Sequence, residues 1–139
     1  MKVVIDTNII LDALMKREPW AATAQALLRA AAMDKIKGFI IASQTTDVFY
    51  LLCRQGADET TAKSIIQRLT ESVKVFDVTS ADVKNALAST MQDYEDGLLA
   101  CCAKRQKMEY IITRNEAGFA QSPVMAISPL AFAEQLPYG

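Results

Sequence analysis

The segment Met1-Lys2-Val3-Val4-Ile5-Asp6-Thr7-Asn8 decides the fold, because a short apolar run stops abruptly at an aspartate. The run is rich in β-branched residues and lacks polar alternation, which is typical of a parallel strand covered on both faces. Asp-Thr-Asn directly before a new apolar period is a helix start. The sequence therefore predicts a buried strand that carries Asp6 to the sheet edge where α/β proteins do their chemistry.

The rest of the chain alternates helical and strand patterns. Helices are predicted at about 8–16, 20–33, 44–55, 58–72 and 80–91, in the Ala/Leu/Cys-rich stretch after Gly97, and in a short segment opened by Pro129, with Ser43 capping the third of them. Further strands are predicted at 37–42, 73–78, 110–113 and 124–127. Strands separated by helices favour an α/β fold, a three-layer α/β/α sandwich with a mostly parallel sheet of about five strands. We expect residues 1–139 to form a single domain.

Composition restricts the class of protein. The 139 residues are 51% hydrophobic, which suffices for one packed core. Fifteen Lys and Arg against 16 Asp and Glu give a net charge of -1, so the strongly basic surface of a duplex nucleic-acid binder is not expected. No apolar run has the length of a membrane span, and the first residues lack the layout of a signal peptide. We therefore expect a cytoplasmic protein with no membrane partner.

The complete lack of histidine excludes several kinds of active site. Ser-His-Asp triads, Cys-His pairs, His-ligated zinc and a His general base all require that residue. The cysteines Cys53, Cys101 and Cys102 are odd in number and lie in helical patterns, which favours reduced, buried thiols. Catalysis would depend on carboxylates, hydroxyls, Lys, Tyr or metal-bound water.

Three separated aspartates, Asp6, Asp47 and Asp96, recur at predicted strand ends or helix starts. If the sheet brings them together, they suit Mg²⁺ or Mn²⁺, which prefer oxygen ligands. Asp93 lies three residues before Asp96, on the same face if one helix covers both. Simpler explanations remain open, since Asp6 would also serve as a helix N-cap worth about 1 kcal/mol. Asp47 would serve equally as an early-turn acid favoured by the helix dipole.

Other polar residues carry two interpretations each. Thr113 and Asn115 follow a predicted strand end, where they would orient water or phosphate, or simply form a turn with local hydrogen bonds. Glu95 points about 100° away from Asp96 on a helix, which favours a solvated or capping role. Asp12 and Lys16 are spaced as a surface ion pair.

Four segments together resemble the PIN domain family. They are Val-Val-Ile-Asp-Thr-Asn at 3–8, Thr-Thr-Asp-Val-Phe-Tyr-Leu-Leu at 45–52, Asp-Tyr-Glu-Asp-Gly-Leu-Leu-Ala at 93–100 and Ile-Ile-Thr-Arg-Asn-Glu-Ala-Gly-Phe at 111–119. Each motif is weak by itself, but the four lie in order over nearly the whole chain. The resemblance implies a metal-dependent ribonuclease fold, common among VapC-like toxins of toxin–antitoxin pairs.

The resemblance also implies the site. Asp6, Asp47 and Asp96 match the acidic catalytic and metal-binding positions of the family, Asp93 is a further candidate ligand, and Mg²⁺ or Mn²⁺ is the implied cofactor. Supporting polar positions of the family are matched by Thr7, Asn8, Thr113 and Asn115. Two departures stand out: Asp47 replaces the Glu of many members, and Asn115 replaces a fourth acid, which should weaken a second metal more than the first.

Partners follow from the same resemblance. Single-stranded RNA is the implied substrate, held at a basic rim for which the candidates are Arg54, Lys104, Arg105 and Arg114. A small antitoxin protein or a second copy of the chain would use apolar surface on the first helical hairpin, where Trp20 is a candidate. The first alternative is a PIN-like binding module with weak or no turnover. A second alternative is phosphotransfer with Asp6 as nucleophile, but the haloacid-dehalogenase type requires another Asp where this chain has Asn8.

Overall fold

A computed structural model of the chain describes residues 1–136. The strands are β1 (Lys2–Ile5), β2 (Lys37–Ile41), β3 (Lys74–Phe76), β4 (Tyr110–Ile112) and β5 (Ala126–Ile127). The helices are α1 (Thr7–Leu14), α2 (Ala21–Ala32), α3 (Ala42–Arg54), α4 (Glu59–Ser72), α5 (Ser80–Ala88), α6 (Tyr94–Arg105) and α7 (Pro129–Gln135), with a short 3₁₀ helix at Glu116–Phe119. The predicted order of helices and strands is confirmed.

The five strands form one sheet in the order β3-β2-β1-β4-β5, and all four pairings are parallel. The strand β1 lies at the centre, so both of its edges are hydrogen-bonded, as its continuous apolar sequence predicts. The chain order reverses at β1, since β2 lies on one side of it and β4 on the other. Parallel sheets bind ligands in the crevice at such a reversal, beyond the carboxyl ends of the strands.

Helices cover both faces of the sheet because successive strand residues point in opposite directions. Val3 and Ile5 of β1 and Ile112 of β4 join a core with α1, α2, α3, α4 and α7. Val4 and Ile111, their immediate neighbours, join a second core with α5 and α6. The three-layer α/β/α sandwich is therefore confirmed.

Some predicted boundaries were wrong. Ser43 does not cap α3, because that helix begins at Ala42 directly after β2 and has Ile41 as its N-cap. The strand β3 covers only Lys74–Phe76, and α5 ends at Ala88 rather than near Met91. These shifts leave the order of elements unchanged.

The predictions about membrane spans and cysteines can also be compared with the structure. Within residues 1–136, every helix is too short or too polar to cross a bilayer. The three cysteines are free thiols on α3 and α6, but only Cys102 is fully buried, whereas Cys53 and Cys101 are partly exposed.

Candidate acidic site at the carboxyl edge of the sheet

Asp6 lies where β1 ends and α1 begins. It is the N-cap of α1, and its Oδ1 accepts a hydrogen bond of 2.8 Å from the backbone N–H of Thr7. Its Oδ2 accepts another of 2.8 Å from the hydroxyl of Thr113, just beyond β4. Burial raises the pKa of Asp6, and the charge of Asp93 adds to this, while Thr113, Thr7 and Arg114 oppose it. Asp6 therefore acts as an N-cap and also faces the crevice between β1 and β4.

Gln44 holds the start of α1 from the side of α3, a role that was not predicted from the sequence. The buried side chain accepts a 2.7 Å hydrogen bond from the N–H of Ile41 and donates one of 2.7 Å to the carbonyl of Ile5. It also donates to the hydroxyl of Thr7 at 3.2 Å. The Gln at the third position of α3 is the sequence signal that could have indicated this role, because it bonds the N-cap backbone as in a capping box.

Asp93 and Asp96 lie at the start of α6. Asp93 is the N-cap, and its Oδ1 accepts a 2.9 Å hydrogen bond from the N–H of Asp96. The pKa of Asp96 is raised to about 6, first by burial and then by the negative charges of Asp93 and Asp6. Asp6 and Asp93 thus lie near enough to Asp96 for their charges to act on it, but Asp93 precedes the helix rather than sharing its face.

Asp47 belongs to a neighbouring acidic pair rather than to this group. It lies in the second turn of α3, so its predicted place at a strand end or helix start was wrong, whereas its interpretation as an early-turn acid is compatible with this position. Its partner is Glu95 of α6, whose pKa is raised by burial and then by the charge and hydrogen bond of Asp47, with smaller effects of Asp93 and Asp96. Glu95 is exposed in the first turn of α6, in agreement with the predicted solvated or capping acid, and the charge of Asp47 acts on it from α3.

The acids do not form a closed cluster. Among residues 1–136, no three acidic or cysteine side chains converge into a ready-made metal site. Burial raises the pKa of Asp6, Asp96 and Glu95, and the negative charges of neighbouring acids add to this. Metal binding by these residues stays a prediction.

A cleft of about 380 Å³ opens beside these acids. Its wall includes Asp93, Asp96, Asn115 and residues with amide or hydroxyl groups, namely Thr90, Gln92 and Gln121. No Lys or Arg is among its described lining residues. The cleft therefore suits an uncharged group that forms hydrogen bonds. An anion would be repelled by the two acids unless a bound cation accompanied it.

Thr113 and Asn115 both make the local hydrogen bonds of a turn, and Thr113 also reaches the site. The backbone N–H of Asn115 donates to the Thr113 hydroxyl at 3.0 Å, and Asn115 Oδ1 accepts from the N–H of Gly118 at 3.3 Å. A Cβ at Gly118 would collide with the Asn115 side-chain amide, so any larger residue there would have to displace that amide. Asn8 is exposed in the first turn of α1, next to the Thr7 that Gln44 holds.

The predicted surface pair of Asp12 with Lys16 was wrong. Asp12 is fully buried and is bound by Arg114 through two hydrogen bonds, Nε to Oδ2 at 2.7 Å and Nη2 to Oδ1 at 3.2 Å. Arg17 lies 3.8 Å from the same carboxylate. The i,i+4 spacing of Asp12 and Lys16 is visible in the sequence, whereas the true partner Arg114 is 102 residues away and leaves no local signal.

Two of the four residues predicted for the basic rim are already bound to acids of this chain. Arg114 binds Asp12, and Arg105 binds the buried Asp82 and the carbonyl of Asp77. Arg54 and Lys104 are exposed and make no ion pair within residues 1–136. Of the four candidates, these two have cationic groups available for a phosphate backbone.

Solved structures with the same fold are numerous. VapBC-1 from nontypeable Haemophilus influenzae has a TM-score of 0.70 at 19% identity, over 94% of this chain and 99% of that chain. VapBC2 from Rickettsia felis, bound to a DNA fragment from their promoter, has a TM-score of 0.70 at 15% identity, over 92% and 98%. VapC20 from Mycobacterium tuberculosis, described as a sarcin-ricin loop cleaving toxin, has a TM-score of 0.61 at 16% identity, over 78% and 86%.

Sequence comparison identifies the family independently of these structures. No curated protein matches the chain. The family model of the PIN domain, however, matches residues 2–117, which include β1 with Asp6, α3 with Asp47, α6 with Asp96 and the β4 end with Thr113. The chain therefore belongs to the PIN domain family.

Proposed function

We propose that this PIN domain is a Mg²⁺- or Mn²⁺-dependent endoribonuclease that hydrolyses phosphodiester bonds of single-stranded RNA. The observation that carries the proposal is the placement of Asp6 at the carboxyl end of β1 and of Asp93 and Asp96 at the start of α6, where burial and the charges of neighbouring acids raise the pKa of Asp6 and Asp96. Structural ion-pair networks also shift pKa values, but a crevice lined by unneutralised acids is a frequent property of functional sites. Membership of the PIN family supports the same conclusion.

The donor set fits a hard divalent cation. The acids supply only oxygen atoms, as Mg²⁺ and Mn²⁺ prefer, and the chain has no histidine to favour zinc. A cation would also relieve the repulsion that raises the pKa values of Asp6, Asp96 and Glu95. We assign Asp6 and Asp96 as the principal metal ligands and Asp93 as an additional one. Asp47 would act on the site indirectly, through its charge on Glu95.

When bound, the metal supplies activation of water and stabilisation of the charge that develops on the phosphate. The chain's own residues orient the site. Thr113 and the N–H of Thr7 hold the two oxygens of Asp6, and Gln44 holds Thr7. The amide-lined cleft beside Asp96 would receive a base or ribose next to the scissile phosphate, while Arg54 and Lys104 are candidates for more distant phosphates.

The biological setting that we propose is a toxin–antitoxin pair. Structural neighbours include VapBC complexes, and a further neighbour, VapC20, is described as a sarcin-ricin loop cleaving toxin. A small antitoxin protein is the partner that this setting requires, and self-association as a homodimer and a cytoplasmic location stay predictions. Trp20 on the hairpin between α1 and α2 is 42% exposed, but its ring carries the Arg114 guanidinium 3.8 Å from the ring centroid. Only part of this side chain therefore remains for a partner.

The alternative function is a PIN-like module that binds RNA or protein without useful turnover. The observation that favours it is that the acids do not converge into a ready-made metal group within residues 1–136, and that Asn115 lies where many members have a fourth acid. Binding without cleavage would then be the expected behaviour.

The test is cleavage of a mixed-sequence single-stranded RNA by the full chain with Mg²⁺ or Mn²⁺, and with EDTA. Asp6→Asn and Asp96→Asn should each abolish metal-dependent cleavage while the proteins stay folded. Glu134→Gln, an exposed acid on α7, is the matched control and should cleave as wild type does. Failure of well-folded wild type to cleave several RNAs would instead support the binding module.

A further inference from the structure

We propose that Asp12, Arg114 and Trp20 form a clamp that positions Asp6 and Thr113 for metal binding. This inference rests on the proposed function, because it assigns Asp6 to the metal. The three residues are called the Arg114 clamp below. None of them touches the metal position in the proposal, so they are positioning residues.

The clamp is built on one buried carboxylate. Asp12 is fully buried, and Arg114 binds both of its carboxylate oxygens, at 2.7 and 3.2 Å. The guanidinium carbon of Arg114 also lies over the Trp20 ring, 3.8 Å from its centre, which is a cation–π contact. Such a two-point bond fixes the direction of a side chain as well as its distance.

The clamp connects the two segments that carry the site. Asp12 lies on α1, the helix whose N-cap is Asp6. Arg114 directly follows Thr113, whose hydroxyl donates to Asp6 Oδ2 at 2.8 Å. The clamp therefore ties the end of β4 to α1 from one side, while the bond between Thr113 and Asp6 connects the same two segments at the crevice.

Stability by itself does not explain an ion pair at this place. Replacing a buried ion pair by apolar side chains is often neutral or stabilising. By contrast, hydrogen-bond partners that orient a metal ligand typically change metal affinity by about 10- to 100-fold when mutated. If the end of β4 shifts, Thr113 leaves its position, and Asp6 loses the contact that fixes one of its two oxygens.

A second buried Arg–Asp pair offers a matched control. Arg105 binds both oxygens of the buried Asp82 at 3.0 Å, like Arg114 on Asp12. Arg105 is the last residue of α6 and lies nine residues after Asp96, about 13 Å along the helix. Arg105→Lys and Arg114→Lys should therefore have comparable effects on stability, while only Arg114→Lys should affect Asp6.

The experiment measures Asp6 directly. The ¹³Cγ resonance of Asp6 is recorded in the metal-free full chain, and Mn²⁺ affinity is then measured by calorimetry without RNA. Because Lys keeps the positive charge of Arg114 but not its two-point bond, Arg114→Lys should shift the Asp6 resonance and weaken Mn²⁺ binding about 10-fold or more. Arg105→Lys should leave both readouts at the wild-type value.

An unshifted Asp6 resonance in folded Arg114→Lys overturns the clamp, as does Mn²⁺ affinity within about 2-fold of wild type. If Arg114→Lys does not fold, Asp12→Asn decides, since it keeps the charge of Arg114, weakens the two-point bond and should shift the Asp6 resonance in the same way. If wild type binds no Mn²⁺, the proposed function fails, and the Asp6 resonance still tests the clamp by itself.

Discussion

Replacing Asp96 by asparagine should stabilise the metal-free protein at neutral pH while it removes a metal ligand. The folded-state pKa of Asp96 is raised from its ordinary value of 3.8 to about 6, so the folded chain holds this proton more tightly than the unfolded chain does. Wild type therefore loses stability as the pH rises from about 4 through about 6. Asparagine is close to the shape of the protonated acid and does not titrate, so the variant avoids that loss.

The magnitude follows from the same pKa values. A change from 3.8 to about 6 corresponds to about 3 kcal/mol in the free energy of unfolding at pH well above both values. Asp96 is only half-buried, and solvent screening reduces this to about 1 to 2 kcal/mol. Asp96→Asn should therefore be more stable than wild type at pH 8 and about equal to it at pH 4.

The assay is urea denaturation in EDTA from pH 4 to pH 8. Glu134→Gln, which removes an exposed acid on α7, is the control and should follow the wild-type profile. The reasoning is refuted if Asp96→Asn is less stable than wild type at pH 8, or if the difference between them does not change with pH.

Three further predictions concern other hydrogen-bonded residues. Burial raises the pKa of Asp82, but hydrogen bonds from Arg105 and Thr79 lower it to about 2. The stabilisation that Asp82 provides is therefore present above about pH 4 and is lost towards pH 2. Acid unfolding followed by circular dichroism should show a shallower loss of stability in Asp82→Asn than in wild type, and an unchanged acid profile would contradict this. Gln44→Leu leaves the N–H of Ile41 without its bond and should lower the free energy of unfolding in urea by about 1 to 3 kcal/mol, whereas a neutral effect would show that the bonds of Gln44 matter little. Asn115→Asp adds a carboxylate beside the cleft and should tighten Mn²⁺ binding in calorimetry, and weaker binding would count against the assigned metal position.

The sheet edge could be predicted because its signal is local. An apolar run that ends in Asp6 and another that ends before Thr113 indicate buried strands, and parallel strands bring their carboxyl ends to the same edge. The structure joins these two residues by a hydrogen bond of 2.8 Å between side chains 107 positions apart. The start of α6, by contrast, was predicted too late, after Gly97, whereas the helix begins at Tyr94 with Asp93 as its N-cap.

Pairings that depend on helix rotation could not be predicted. Asp12 was assigned to Lys16 because an i,i+4 spacing is visible in the sequence, whereas its partner Arg114 is 102 residues away. In the same way, the effect of Asp47 on Glu95 comes from α3 and is not visible in the spacing of residues within α6. Both cases have one physical reason, since spacing defines a helix face without telling which other element packs against it.

The central claim is that the acids around Asp6 and Asp96 bind the metal on which RNA cleavage depends. The most direct test is to titrate one preparation of the full chain with Mn²⁺ and to record both the binding isotherm and the rate of cleavage of a single-stranded RNA. The account predicts that cleavage is absent in EDTA and rises with the same midpoint as binding. Cleavage that persists in EDTA, or Mn²⁺ binding that produces no cleavage of any RNA, would contradict it.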